Sequence, residues 1–441
     1  MRPGSPDELR IHPNVKIRDT MRLFMTNTLG VLRGFGRNTW LMLAVFGVSG
    51  FGYFGIQAVL FNLYLLRLGY DAQFIGTLIG FGQLIWALMA LPAGAFGRRF
   101  GARPALYLWH GLHGLGFAIV LCAEFFPRQF LTPVIVFGWM VFWIGGAFGG
   151  SNGAPFMMRS APRNLLNLVF STQVIMFSVM GFVGSIVAGI LPAALTTLSG
   201  ASATDPAPFR AALSLTAICH GISVLILTRL RDQPDESGSG TVSSVGRPTA
   251  LLLFWGGLMF LLTASEGSVR SFFNVYLDRQ LQMPTADIGV VFGVAQFFSV
   301  LGAFSAPFLL RRLGASRVIL FATAASGGVL VLLAAAQITW VASSAYITVI
   351  LLSAVATAAR TIMSQELVAG HWRIIIAGVS TVGLGLGWAS SAAIGGVLVN
   401  AFGFATYFYI AAGLAILAAG LLGVFLFRKR AAPASPGPSA S

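Results

Sequence analysis

Charge is scarce in this 441-residue chain: charged residues make up 9% of it, and only 13 residues are acidic. An ordinary soluble domain carries ~25% charged residues, so the chain lacks the polar shell of a soluble protein. Lysine is nearly absent. Lys16 and Lys429 are the only two, and neither follows a glycine. A phosphate-binding loop needs Gly-Lys-Ser/Thr, so direct ATP drive within this chain is excluded. Cys122 and Cys219 both fall in apolar runs and read as packing residues rather than a disulfide or metal site. Short alternating segments of the kind that build spanning β-barrels are missing. Gly383-Leu-Gly385-Leu-Gly387 resembles a fragment of a dinucleotide turn, but it lies in an apolar run with no strand before it, which fits close helix packing. Gly150-Ser151-Asn152-Gly153, with His110 and His113, has Asn152 where an intramembrane serine protease wants glycine. No enzyme, cofactor or metal site is expected.

What is abundant is apolar length. Hydrophobic residues make up 56% of the chain. Runs of ~20, the length a spanning helix needs, recur throughout. Twelve are drawn, at about 40–65, 74–96, 104–124, 132–156, 165–190, 210–228, 250–277, 287–309, 315–336, 340–364, 374–399 and 405–427. The expectation is an all-α integral membrane protein.

The net charge of +15 invites a nucleic-acid reading, but its distribution argues for topology. An even number of spans puts both termini on one side. The basic residues crowd the loops of that side: the N-terminal segment from Arg2 to Arg37, then Arg98, Arg99 and Arg103, then Arg159 and Arg163, then Arg229, Arg231 and Arg247, then Arg311, Arg312 and Arg317, and the tail from Arg428. Such a bias places both termini in the cytoplasm, with the protein in the plasma (inner) membrane and its basic loops against anionic lipid. No nucleic-acid partner and a monomer are expected. The segment 1–39 is basic, and Met21, Met25, Thr28 and Leu32 recur at helical spacing; it reads as a surface-lying helix or a disordered tail. Residues 229–248 have linker composition, and 428–441 form a tail. They leave bundles at 40–228 and 249–427.

The chain also repeats itself. Phe61-Asn62-Leu63-Tyr64 returns as Phe273-Asn274-Val275-Tyr276. Gly80 and Gln83 return as Gly293 and Gln296, and Arg98-Arg99-Phe100-Gly101-Ala102 as Arg311-Arg312-Leu313-Gly314-Ala315. Two parallel six-helix halves follow, an arrangement that builds transporters opening alternately to each side.

The seventh span carries Glu266, Arg270, Asn274 and Asp278, each four apart and sharing one helix face. Ionisable groups deep in lipid face a cavity or a partner. Glu266 is therefore a protonation or cation site with Arg270 as modulator or anion contact; the alternative is a self-neutralised Glu266–Arg270 pair that locks two helices. Asn274 and Asp278 read as solvated or capping groups near the outer surface. The charges are not duplicated in the first half, which assigns Glu266 and Arg270 to function and the duplicated asparagines to the fold. Tyr53 and Gln57 in the first span, Asn152 in the fourth and Arg360 in the tenth complete the candidate substrate or ion site. Arg360 alternatively snorkels to lipid or pairs with Glu366. Arg98, Arg99, Arg311 and Arg312 read either as gating latches or as topology-setting charge.

These features resemble the major facilitator superfamily over roughly 40–427. Gly94, Arg99, Gly101 and Arg103 match its loop signature, while Arg98, and Arg311 in the second half, stand where that signature has Asp. Glu366 with Arg373 is similar to its acidic-to-basic turn before span eleven, whereas its antiporter Gly-Pro step has no counterpart in span five. The resemblance implies two six-helix bundles and a cavity lined by spans one, four, seven and ten. The expectation is a secondary transporter of a small organic solute working by alternating access, with protons as the favoured coupling ion because Glu266 can titrate. A carrier of lipid or lipid-linked cargo, or a non-transporting receptor or scaffold, are the alternatives.

Overall fold

A computed structural model describes residues 34–162, 165–202, 204–231, 249–368 and 372–431. The expected N-terminal surface helix, Arg163, most of the linker and most of the tail lie outside these residues. The described chain is helical. Helix α1 is Arg37–Arg67, α2 Ala72–Phe100, α3 Ala102–Cys122, α4 Arg128–Ser160, α5 Leu166–Ser199 and α6 Pro206–Leu227. Helix α7 is Thr249–Arg279, α8 Thr285–Leu313, α9 Ala315–Ala335 and α10 Thr339–Glu366. The last helical stretch, Arg373–Ala431, breaks at Gly403, where φ is 80°. It is therefore two helices, α11 (373–402) and α12 (404–431), and the described residues hold twelve long helices.

Local chemistry sets the ends. The Asp71 carboxylate accepts from the Phe74 N–H at 2.8 Å and starts α2, satisfying one of the orphan donors of a helix N-terminus. Asp205 does the same for Ala207 ahead of α6, with Pro206 at its first position. Gly101 and Gly314, at φ 92° and 78°, terminate α2 and α8. The duplicated Arg-Arg-x-Gly-Ala sequence is thus a duplicated sharp turn that a residue with a Cβ would strain.

One apolar core, from Ile56 to Ala412, runs through both halves, α1–α6 and α7–α12, and a smaller cluster belongs to each half alone, around Met42 in the first and Trp255 in the second. Helix α3 lies along α4 and α6, and α1 along α5; in the second half α7 lies along α11, and α8 and α9 along α10. The halves meet along α2–α11 and α5–α8. These seams are built on small residues: a methyl on Gly80 would sit 2.6 Å from the Ala389 carbonyl, and one on Gly289 2.7 Å from Gly189 Cα. Such seams let helix backbones approach in lipid, where apolar burial alone gives little drive. Leu88, Leu91, Phe304 and Phe308, further along α2 and α8, are exposed. Cys219 is buried, whereas Cys122, at the end of α3, is exposed rather than packed inside.

Candidate functional site

The duplicated Phe-Asn-x-Tyr segments face each other where α1 meets α7. Asn62 Nδ2 donates to Asn274 Oδ1 at 3.0 Å and to the Ser271 carbonyl at 2.7 Å. Asn274 Nδ2 returns the bond to the Val59 carbonyl at 3.0 Å. Val59 and Ser271 are themselves related by the 212-residue offset, so the pairing is a two-fold-symmetric clasp. One turn further out, Arg67 grips Asp278 with two bonds of 2.7 and 2.9 Å, and Asn400 donates to Asp71 at 3.1 Å. We call this the latch end. Asn274 is buried and Asp278 nearly so; the expectation of solvated or capping groups is corrected. Each half braces the clasp with a stacked aromatic pair, Phe61 on Trp139 and Phe273 on Tyr346, both at 4.3 Å.

Behind the latch lies a cavity of about 210 Å³ lined by both halves. Tyr53, Gln57, Gln83, Trp143, Arg270, Gln296 and Trp388 are among its walls. A second lobe of about 210 Å³ shares Tyr53, Gln83, Trp143 and Trp388 and runs on past Ser49, Trp86, Trp109, His113 and His220. Ser49 precedes Asn62 by thirteen residues, so this lobe extends about 20 Å away from the latch along α1. Residues Gly50–Gln57 form a π-helical stretch. Extra π turns recur at functional sites, and this one carries Tyr53 and Gln57. Gly50 and Gly55 sit against the backbone of α5, where a methyl on Gly55 would lie 2.5 Å from Gly184 Cα.

Glu266 does not pair with Arg270. Arg360 donates to one of its oxygens, and Ser353 Oγ donates to the other at 3.0 Å. Arg270 in turn reaches Ser353 Oγ at 3.4 Å. The result is a chain from the cavity into the second half: Arg270, Ser353, Glu266, Arg360. Arg360 is buried against Glu266, which replaces both the snorkelling and the Glu366 readings. Beside the pair, Thr323 and Ser326 of α9 line a pocket of about 10 Å³, room for about one water. The four-residue stripe on α7 explains the split roles. Each step drifts ~40°, so three steps turn ~120°, and Glu266 points into its own bundle while Asp278 points at α1.

Asn152 is not in the cavity. Its Nδ2 donates to the Ala93 carbonyl at 3.1 Å and fastens α4 to α2. Ser151 likewise bonds the Ala90 carbonyl at 2.8 Å. His110 Nδ1 meets His220 Nδ1 at 3.1 Å, and His113 stacks on Phe142 at 4.1 Å. Among the described residues no group of three or more His, Cys, Asp or Glu is placed to hold a metal ion. Arg98, Arg99, Arg311 and Arg312 are exposed at the end away from the latch. Reading the sequence missed Ser353, the Arg67–Asp278 grip and the paired glutamines Gln83 and Gln296, although their duplication was visible.

The sequence model of the MFS_1 like family matches residues 212–410. A variant of the nucleoside transporter NupG superposes with a TM-score of 0.69 at 16% identity, covering 88% of this chain and 99% of that one. A POT family transporter in complex with a thioalcohol-conjugated peptide gives 0.68 at 13% identity, covering 89% and 96%. A bacterial metal transporter gives 0.66 at 15% identity, covering 89% and 99%. No curated protein matches the chain in sequence. The chain therefore has the major facilitator fold, that of multi-pass membrane transporters.

Proposed function

We propose that this protein of the major facilitator fold is a secondary active transporter that moves a small organic solute by alternating access. The observation that carries this reading is the symmetric Asn62–Asn274 clasp, which shuts one end of a cavity lined by both halves. A site between two pseudo-symmetric bundles, closed at one end by bonds between them, is what rocking bundles require. The bias of basic residues supports an outward-facing latch with both termini in the cytoplasm of a plasma (inner) membrane. On that orientation, the bonds of the latch close the site toward the outside. Arg98, Arg99, Arg311 and Arg312, exposed here, then serve as gating loops at the cytoplasmic end. The protein works as a monomer.

Protons are the favoured coupling ion. Glu266 is linked to the cavity through Ser353 and Arg270, and shares a buried pair with Arg360 that a change of protonation would break. The test uses the wild type and Glu266→Gln in proteoliposomes, with a solute found by thermal-shift screening at two pH values. The variant should lose uphill accumulation and keep exchange. Uphill accumulation at the wild-type rate removes Glu266 from coupling.

A lipid or lipid-linked cargo is the second reading. It is favoured by an apolar crevice of about 240 Å³ between α5 and α8, lined by Phe170, Val174, Val300 and Phe304. Acyl-chain density entering the cavity through that crevice would support it.

A further inference from the structure

We propose that the cavity accepts an organic anion with a flat aromatic body, its charge on Arg270 and its ring against the aromatic walls. The inference rests on the transport reading above and names the class of cargo.

The first observation is a charge imbalance. Around the site the ionised side chains are Glu266, Arg270 and Arg360. Both Glu266 oxygens are occupied, one by Arg360 and one by Ser353. Glu266 and Arg360 thus cancel, and Arg270 carries the surplus. Its bond within the protein is the long one of 3.4 Å to Ser353 Oγ, and its side chain is exposed to the cavity. Among the described residues no other Asp, Glu, Lys or Arg lines either lobe. A guanidinium at membrane depth is costly unless water or a counter-charge meets it. Its planar fork matches a carboxylate with two parallel bonds.

The second observation is the walls. Phe61, Trp139, Trp143, Tyr346 and Trp388 surround the same space as Arg270. Such surfaces favour flat rings. They also favour cations, which sit over π faces. Arg270 decides between these, because it repels a cation in the shared cavity. A neutral ring suits the walls but leaves the guanidinium without a counter-charge, and a small ringless anion does the reverse. A flat anion satisfies both. Among the described residues Gln57 and Gln83 each leave a side-chain oxygen without a partner, so a ring N–H or hydroxyl on the cargo has an acceptor.

The test uses the purified full chain and tritiated indole-3-acetate in a scintillation proximity assay. Unlabelled indole-3-acetate, indole-3-acetamide, tryptamine and acetate compete. They share a ring with negative, neutral and positive tails, or a negative charge with no ring. Indole-3-acetate should displace the label at a concentration at least tenfold lower than each of the other three. Arg270→Gln should weaken binding at least tenfold, while Arg270→Lys, which keeps the charge, should recover part of it. Equal competition by the amide, by tryptamine or by acetate overturns the proposal, as does the lack of saturable binding to the wild type. Spin-label distances across the latch, taken on the same protein without ligand, read the transport mechanism separately. A moving latch with no anion preference sinks the cargo class alone, and a fixed latch with that preference sinks the transport reading alone.

Discussion

Replacing Asp278 by Asn should open the latch. The substitution keeps the shape of the side chain and removes the charge that receives both Arg67 bonds, of 2.7 and 2.9 Å. Side-chain exposures of 18% for Arg67 and 9% for Asp278 put the pair between surface and interior. Exposed pairs contribute about 0.2–1 kcal/mol, and breaking a buried one costs about 3–5 kcal/mol. An intermediate loss of about 2 kcal/mol follows, and it falls on the latched state because Arg67 and Asp278 lie on opposite halves. At about 1.4 kcal/mol per tenfold, the latch-open population rises about 30-fold. The assay reads it directly. Ala58→Cys, beside the clasp and on the cavity wall, is placed in a background with Cys122 and Cys219 replaced by Ala. A membrane-impermeant thiosulfonate is then applied from the latch face, and its reaction rate follows the open fraction. Asp278→Asn should raise that rate about 30-fold, and Arg67→Gln on top of it should add little. A rate within twofold of the parent would show that the grip does not hold the halves, and the account of the latch would fail.

Further outcomes follow from the same geometry. Arg360→Met should lower stability by about 3 kcal/mol because it leaves Glu266 buried beside Ser353 without its main partner; the double variant with Glu266→Gln should recover most of that in thermal unfolding in detergent, and additive losses would contradict the pairing. Gly55→Ala should cost about 1–3 kcal/mol through the close approach of α1 to α5, read as a lower Tm; no change would mean the π-helical stretch can relax. Asn62→Ala should speed modification of Ala58→Cys from the latch face, and Asn152→Ala should not, because Asn152 fastens α4 to α2 within one half. Equal effects of the two would erase the distinction drawn between clasp and brace.

The twelve spans were legible because lipid demands runs of apolar residues, and the halves because whole motifs recur at one offset. The site was legible only in part. Tyr53, Gln57 and Arg270, of the first and seventh spans, line the cavity. Glu266 was visible as a buried charge, but its partner was not. A helical pattern exposes neighbours four residues away, and Arg360 is 94 residues distant. Asn152 misled because a polar group in a span faces either a cavity or a neighbouring backbone, and composition does not separate the two. The duplicated residues misled in the opposite sense. Read as scaffold because both halves keep them, Asn62 and Asn274 meet on the pseudo-symmetry axis, where equivalent positions come into contact. The π-helical stretch left only a glycine-rich trace, since its cause is the tight seat of α1 on α5.

The proposed rocking of the halves about the cavity opens one end as the other shuts. It is tested most directly by double electron–electron resonance on two spin-label pairs in the full chain. One pair spans the latch end, Gln129→Cys with Thr339→Cys, at the starts of α4 and α10. The other spans the opposite end, Phe100→Cys with Leu313→Cys, at the ends of α2 and α8. Each pair should show two distance populations, and Asp278→Asn should lengthen the first while shortening the second. Single, unresponsive distances at both ends, or both lengthening together, would contradict the account.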